Sequence, residues 1–172
     1  TYRVTQEMVK ADEVWVEEKG RRFLPEVAEP SFGLDRLLYA TLEYAYSEKE
    51  DRVILKLPRN LAPIEAAVFP LMTKDNLPEK AKEVYQLLKQ KGFMVEYDES
   101  GSIGRRYARM DEIGTPATIT IDYETLEDNT VTVRDRDTWK QIRVKIEELP
   151  QVLTKFIKNG VSLEDSLLPL KS

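Results

Sequence analysis

One stretch decides the fold of this chain: residues 100–122 read SGSIGRRYARMDEIGTPATITID. Ser102 is a suitable N-cap, and Gly114 is a suitable residue just beyond the last turn of a helix. Between them, apolar side chains recur at helical spacing, from Ile103 to Ile113. After Pro116, the alternation that places Ile119 and Ile121 on one face is typical of a strand. The stretch therefore predicts a short helix followed by a buried strand.

The same helix carries three arginines, Arg105, Arg106 and Arg109, on its other face. Cations near a helix N-terminus are mildly unfavourable, and Arg105 repels Arg109 one turn away, each effect costing about 0.3–0.5 kcal/mol. Guanidinium groups beside a helix N-terminus suit an anion such as phosphate. The alternative is that partners from elsewhere in the fold neutralise them. The spacing favours neither interpretation.

The composition excludes several classes of chemistry. The chain has 172 residues, a net charge of −5, no cysteine and no histidine. Disulfides, thiolate metal sites, zinc chemistry, a Ser-His-Asp triad and a Cys-His dyad are therefore excluded within it. We find no run of eighteen apolar residues, and we expect no signal peptide. Any nucleic-acid binding must come from a local patch rather than from the overall charge.

The order of elements indicates two parts. Residues 61–158 predict an α/β domain with a mixed sheet. Its expected strands cover 64–71, 93–97, 117–122 and 130–137, and its expected helices cover 78–91, 102–113 and a segment that Thr138 caps. In that last helix, Trp139, Ile142, Ile146 and Leu149 would form the buried stripe. The first part predicts a hairpin near 14–25, an amphipathic helix over 34–46, a solvated loop at 47–51 and a strand over 52–57.

A second motif, EPSFGLDR at residues 29–36, places a carboxylate, a hydroxyl and an arginine on a turn and a helix start. A site for an ammonium and a phosphate needs such groups, namely Glu29, Ser31 and Arg36. The alternative is a helix cap with a surface pair between Asp35 and Arg36. The spacing alone favours that alternative.

The motif EPSFGLDR resembles the third signature motif of class II aminoacyl-tRNA synthetases, in the form found in glycyl-tRNA synthetases. The runs GSIGRRYAR at 101–109, DEIG at 111–114 and RDRD at 134–137 resemble the anticodon-binding domain of the same enzymes. The resemblance covers nearly the whole chain, but nothing in it resembles the first or second class II motif. It implies that 1–58 is the end of a catalytic domain and 59–172 an anticodon-binding domain. The implied fold is α/β: a mixed sheet of about five strands with three main helices, preceded by a fragment of the class II antiparallel catalytic domain.

The resemblance also implies roles for individual residues. Arg36 would be catalytic and bind ATP phosphate, and Glu29 and Ser31 would meet glycine. Arginines and aromatic side chains suit single-stranded loop bases. The implied anticodon-binding residues are Arg105, Arg106, Arg109, Arg134 and Arg136. Asp135 and Asp137 are a further option, because a carboxylate can accept from a cytosine amino group. For Asp137, a plain helix cap is the preferred interpretation.

The implied function is that of a glycine–tRNA ligase, which attaches glycine to its tRNA at the expense of ATP. The expected cofactor of the full-length enzyme is ATP with Mg²⁺, and we expect no cofactor or metal within this portion. The expected partners are glycine tRNA, glycine and ATP, with a homodimeric full-length enzyme in the cytoplasm and no membrane contact. This portion would mainly recognise the anticodon and would be inactive alone.

Two alternatives stay open at this point. One is a non-catalytic synthetase relative, such as the accessory subunit of mitochondrial DNA polymerase. The intact set of Glu29, Ser31 and Arg36 argues against it. The other is a plain α/β interaction domain in which the arginines are paired structurally.

Overall fold

The computed structural model describes residues 16–18, 20–23 and 27–167. The chain forms two compact units, Thr1–Leu34 and Asp35–Ser172. In the first unit, β1 (Val16–Glu18) and β2 (Arg21–Phe23) pair antiparallel. Gly20 adopts a φ of +74° in the turn between them, a conformation that glycine allows without strain. The hairpin that the sequence predicts here is confirmed for the described residues.

The second unit begins with a helix that leads directly into a β-hairpin. Helix α1 (Leu34–Ala45) is followed by β3 (Tyr46–Lys49), which pairs antiparallel with β4 (Arg52–Leu55). The loop expected at 47–51 is therefore wrong for its first three residues. Glu50 and Asp51 both have positive φ, at 50° and 62°. Two such residues make the tight turn whose twist suits a hairpin, so a charged sequence can still pair as a ribbon.

The apolar stripe expected on α1 faces out of the unit. Leu37, Leu38 and Leu42 are 49%, 58% and 42% exposed, whereas Ala45 is buried. The sequence correctly predicts the helix, but within the described residues few partners cover this face.

A five-stranded mixed sheet forms the body of the second unit, in the order β6-β5-β7-β8-β9. The strands are β5 (Ala66–Pro70), β6 (Val95–Tyr97), β7 (Ala117–Ile121), β8 (Thr130–Asp135) and β9 (Gln141–Lys145). Strand β5 is parallel to β6 and β7, whereas β8 is antiparallel to β7 and β9. This mixed sheet confirms the predicted fold class.

Helices cover both faces of the sheet. They are α2 (Leu77–Gln90), α3 (Ile103–Ile113), α4 (Tyr123–Asp128) and α5 (Leu149–Leu153), which continues as a π-helical turn (Thr154–Lys158). Helices α2 and α5 enclose the main core, where Leu88, Ile119 and Phe156 are fully buried. Each such side chain contributes about 1.5–3 kcal/mol by leaving water. Helix α3 packs on the opposite face.

Two local expectations are wrong. The segment after Thr138 is not a helix, because residues 141–145 form β9. Trp139 has a φ of +63° in the turn between β8 and β9, and the Thr138 hydroxyl donates to the Asp135 carboxylate (2.8 Å). Asp137 consequently caps no helix. The short helix α4 was missed, although Asp122 and Thr125 form a capping box at its start.

Candidate nucleic-acid interface

Helix α3 lies between the two parallel strands β6 and β7 in the chain, so it starts at the edge where β5, β6 and β7 end. Ile103, Tyr107 and Met110 pack against Ala67 and Phe69 of β5. The helix and the loop before it therefore occupy the carboxyl edge of the sheet, where the predicted arginine cluster starts.

Arg105 is exposed on the first turn of α3. Its guanidinium makes no ion pair or hydrogen bond with any other residue that the structure describes. Of the five predicted arginines, it is the one whose guanidinium is open to an external anion within the described part of the chain.

Arg106 is buried beneath that turn. Its guanidinium donates to three backbone carbonyls, those of Pro70 (2.5 Å), Glu99 (2.9 Å) and Gly101 (2.7 Å). These bonds join the end of β5 to the loop before α3. Arg106 thus organises the loop from inside the fold.

Arg109 also holds this loop. It donates to the Asp98 carboxylate and to the Ser100 carbonyl, the latter at 2.7 Å. Its side chain is 41% exposed, so the pair is partly open to water. Exposed pairs of this kind contribute little to stability, about 0–1 kcal/mol.

Arg134, on β8, reaches the other end of α3. Its guanidinium donates to both carboxylate oxygens of Asp111, at 3.0 and 3.1 Å, and both side chains are buried. The guanidinium carbon also stands 4.8 Å from the Tyr107 ring centre and 5.4 Å from that of Trp139. A cation over aromatic faces gains further electrostatic stabilisation.

Arg136 is fully buried just past β8. It donates to the carbonyls of Gly114 (2.7 Å) and Leu57 (2.8 Å) and to the Asp137 carboxylate (2.9 Å). The segment that connects β4 to β5 is thereby fixed to the end of α3.

Arg109, Arg134 and Arg136 each pair with an aspartate, which is the neutralisation by partners that the sequence analysis left open. Arg106 instead bonds only backbone carbonyls. Whether any of the four also meets RNA stays a prediction. Of the two optional carboxylates, Asp135 pairs with Arg59 at 3.8 Å and Asp137 with Arg136.

A polar face that the sequence analysis missed lies on the last two strands. It consists of Thr132 on β8 with Gln141, Arg143 and Lys145 on β9, and Asp122 beside them; we call it the polar strand face. Arg143 donates to both Asp122 oxygens (2.5 and 2.9 Å) and to the Thr132 hydroxyl (3.1 Å). The alternation of polar and apolar residues from 141 to 145 is the signal that could have revealed it.

Hydrogen bonding at this face changes the acidity of Asp122. Its partial burial would raise the pKa of the carboxyl group, but donors from Arg143 and Thr125 outweigh that effect, so the pKa is lowered from its ordinary value. Asp122 is therefore a charged acceptor at neutral pH, with its side chain 20% exposed.

The residues predicted to meet glycine and ATP are exposed. The side chains of Glu29, Ser31 and Arg36 make no hydrogen bond or ion pair with another described residue. Glu29 and Ser31 fall in the first compact unit and Arg36 in the second. Their roles stay predictions, as does the domain boundary at 58/59.

Comparison with known proteins shows the family of this chain. The anticodon binding domain family matches residues 65–156, just over half of the 172 residues. The chain belongs to the anticodon-binding domain family. The matched region runs from the residue before β5 to the π-helical turn, and it includes α3 and the polar strand face.

Relatives named glycine–tRNA ligase confirm the resemblance that the two motifs predict. The protein from Aeropyrum pernix is 58% identical over 92% of this chain, and that from Methanocaldococcus jannaschii is 50% identical over 91%. The protein from Methanothrix thermoacetophila is 44% identical over the whole chain. This chain spans 27–30% of the length of these relatives.

A solved structure of prolyl-tRNA synthetase from Cryptosporidium parvum shares the fold. It superimposes with a TM-score of 0.57 at 22% identity, covering 61% of this chain and 23% of that one. At this identity the likeness supports the fold alone. Among the described residues, no helix of the anticodon-binding chain is long and apolar enough to cross a membrane.

Proposed function

We propose that this chain is the anticodon-reading portion of a glycine–tRNA ligase, the enzyme that attaches glycine to its tRNA at the expense of ATP. The observation that carries the proposal is 58% identity over 92% of the chain to a relative of that name. Relatives at this identity support a ligase rather than a non-catalytic accessory subunit.

The RNA loop docks on the polar strand face beside the start of α3. Single-stranded loop bases are recognised by hydrogen bonds to their edges. Arg143 already bonds Asp122 and Thr132 but is 30% exposed, so base edges would meet the donor and acceptor positions that these bonds leave open. The charged Asp122 suits the amino group of a cytosine. Arg105, whose guanidinium bonds no other described residue, contributes a phosphate contact.

The other four predicted arginines act on RNA through the backbone that they place. Arg106 and Arg109 fix the loop before α3. Arg134 and Arg136 fix α3 against β8 and the connecting segment. Because the protein loop before α3 is already fixed in this way, RNA binding costs less conformational entropy, which favours affinity.

The catalytic roles belong to the longer polypeptide. Arg36 would bind ATP phosphate, Glu29 would meet the ammonium group of glycine, and Ser31 would line the space beside it. Among the described residues, no three carboxylates come together as a metal site. In this proposal, ligands for Mg²⁺ come from other parts of a cytoplasmic, homodimeric ligase, and this chain alone forms no glycyl-adenylate.

Binding to a glycine-tRNA anticodon stem-loop tests the proposal, measured at two salt concentrations beside a loop whose two cytosines are replaced. We expect affinity to fall with salt by about 0.7 log units per log unit of salt for each phosphate contact. We also expect weaker binding of the changed loop. Equal binding of both loops at each salt concentration would contradict anticodon reading.

Adenylate formation is a separate test. Glycine-dependent exchange of pyrophosphate into ATP should be absent for this chain and present for the longer enzyme that contains it. Exchange by this chain alone would refute the assignment of catalysis to the remainder.

A further inference from the structure

Two arginine side chains lie beside the single buried carboxylate of Asp111. Arg134 already donates to both oxygens of this fully buried carboxylate. A second guanidinium, that of Arg52, stands 3.7 Å away from one of them. One carboxylate needs one counter-charge, and placing a second cation beside it in a partly buried site costs desolvation. The presence of Arg52 is therefore not explained by neutralisation of Asp111.

Arg52 comes from a different supersecondary unit. It opens β4, in the hairpin that directly follows α1, and it pairs in register with Lys49. Its side chain is 34% exposed. Lys49 and Arg52 both approach the Trp139 ring, at 4.0 and 5.5 Å from its centre, but only Arg52 also contacts Asp111.

Strand β4 lies along the length of α3. At the end of the helix, a Cβ on Gly114 would stand only 2.9 Å from the Leu55 carbonyl oxygen. Near its start, the Arg52 guanidinium lies 4.0 Å from where a Cβ of Gly104 would be. Gly104 precedes Arg105, which faces outward. Arg52 therefore spans from Asp111 to the turn that presents the proposed RNA contact.

We propose that Arg52 is a positioning residue that ties α3 to the hairpin following α1 and so couples occupation of the anticodon surface to the charging reaction. This inference rests on the proposed function. Helix α3 is a rigid connection of about 16 Å for its 11 residues. A displacement at its first turn reaches the hairpin through Arg52, and the hairpin continues into the helix that bears Arg36.

The full-length enzyme that contains this chain provides the test, with Arg52→Gln as the main variant. The measured quantity is the ratio of kcat/KM for charging glycine tRNA to that for a tRNA whose anticodon cytosines are replaced. We expect Arg52→Gln to lower this ratio at least about 5-fold, the lower end of typical coupling between sites. Glycine-dependent pyrophosphate exchange and stem-loop affinity should stay within about 2-fold of the unsubstituted enzyme, well below that coupling range.

Two further variants separate coupling from structure. Lys49→Gln is the matched control, because Lys49 lies opposite Arg52 and contacts Trp139 but not Asp111. It should leave the charging ratio unchanged. Arg52→Lys keeps the positive charge beside Asp111. Its charging ratio should therefore stay close to that of the unsubstituted enzyme.

Each contrary outcome is decisive. An unchanged ratio in Arg52→Gln, or an equal fall in Lys49→Gln, would overturn the coupling role. A parallel loss of pyrophosphate exchange, or of stem-loop affinity, would assign Arg52 to folding or to direct RNA contact instead. Absence of glycine-dependent exchange in the unsubstituted enzyme would refute the proposed function itself.

Discussion

The Arg134 guanidinium holds both carboxylate oxygens of Asp111, two residues that lie 23 positions apart on β8 and α3. Both side chains are buried, so neither has water as an alternative partner. This pair fixes the end of α3 to the sheet. It connects two of the motifs, DEIG and RDRD, from which the family resemblance was drawn.

Asp111→Ala should lower the free energy of unfolding by about 3–5 kcal/mol, because it leaves the buried Arg134 guanidinium without its counter-charge. Urea unfolding of the variant and the unsubstituted chain measures the difference. The double variant Asp111→Leu with Arg134→Met should lose less, since it removes both charges and keeps apolar volume. A loss below about 1 kcal/mol in Asp111→Ala would contradict the structural role of the pair.

Gly114→Ala should destabilise the chain more than Gly92→Ala. Both glycines have positive φ, at +81° and +85°, so each substitution carries the backbone penalty of about 1 kcal/mol. A Cβ at Gly114 would also meet the Leu55 carbonyl at 2.9 Å, whereas nothing lies within 4 Å at Gly92. We expect a further loss of about 1–3 kcal/mol at Gly114 from this clash. Equal midpoints of thermal unfolding for the two variants would show that β4 does not press against α3.

Arg105→Gln and Arg106→Gln should affect different properties. The Arg105 side chain is exposed and its guanidinium bonds no other described residue, so its loss should leave the melting temperature unchanged. It should reduce the salt dependence of stem-loop binding by about 0.7 log units per log unit of salt. Arg106→Gln should lower the melting temperature, because the buried guanidinium donates to three carbonyls. An unchanged melting temperature in Arg106→Gln would contradict its structural role. An unchanged salt dependence of binding in Arg105→Gln would contradict its phosphate contact.

Asp122 should make stability depend on pH in the acid range. Its pKa is lowered in the folded chain by the donors from Arg143 and Thr125. The stabilisation is therefore present above the ordinary carboxyl pKa of about 4 and is lost as pH falls through the lower folded value. The stability difference between the unsubstituted chain and Asp122→Asn should shrink from pH 6 to about pH 3 in urea titrations. A difference that stays constant over this range would contradict the pairing with Arg143.

The sequence correctly predicts most elements of the sheet domain, because their signals are local. Helix α3 ends at Gly114 as its spacing indicates, β5 follows from a near-continuous apolar run, and β7 follows from the alternation that places Ile119 and Ile121 on one face. The prediction of a helix after Thr138 is wrong for a physical reason. The apolar residues of this segment fit both a helical spacing, through Trp139, Ile142 and Ile146, and a strand alternation, through Ile142 and Val144. Hydrogen-bonded pairing with β8 decides for the strand, and pairing is not a local property.

The candidate site likewise has features that the sequence predicts and features that only the structure shows. The motif residues identify the family and the candidate arginines, because residue type and spacing can be read from the sequence alone. Which arginine stays open to an anion depends on partners distant in sequence: Asp111 for Arg134, Leu57 for Arg136, and Pro70 for Arg106. A guanidinium is bound internally only where the fold brings a carbonyl or carboxylate within about 3 Å. Residue identity fixed the chemistry available to this chain, and tertiary contact decided which of it faces outward.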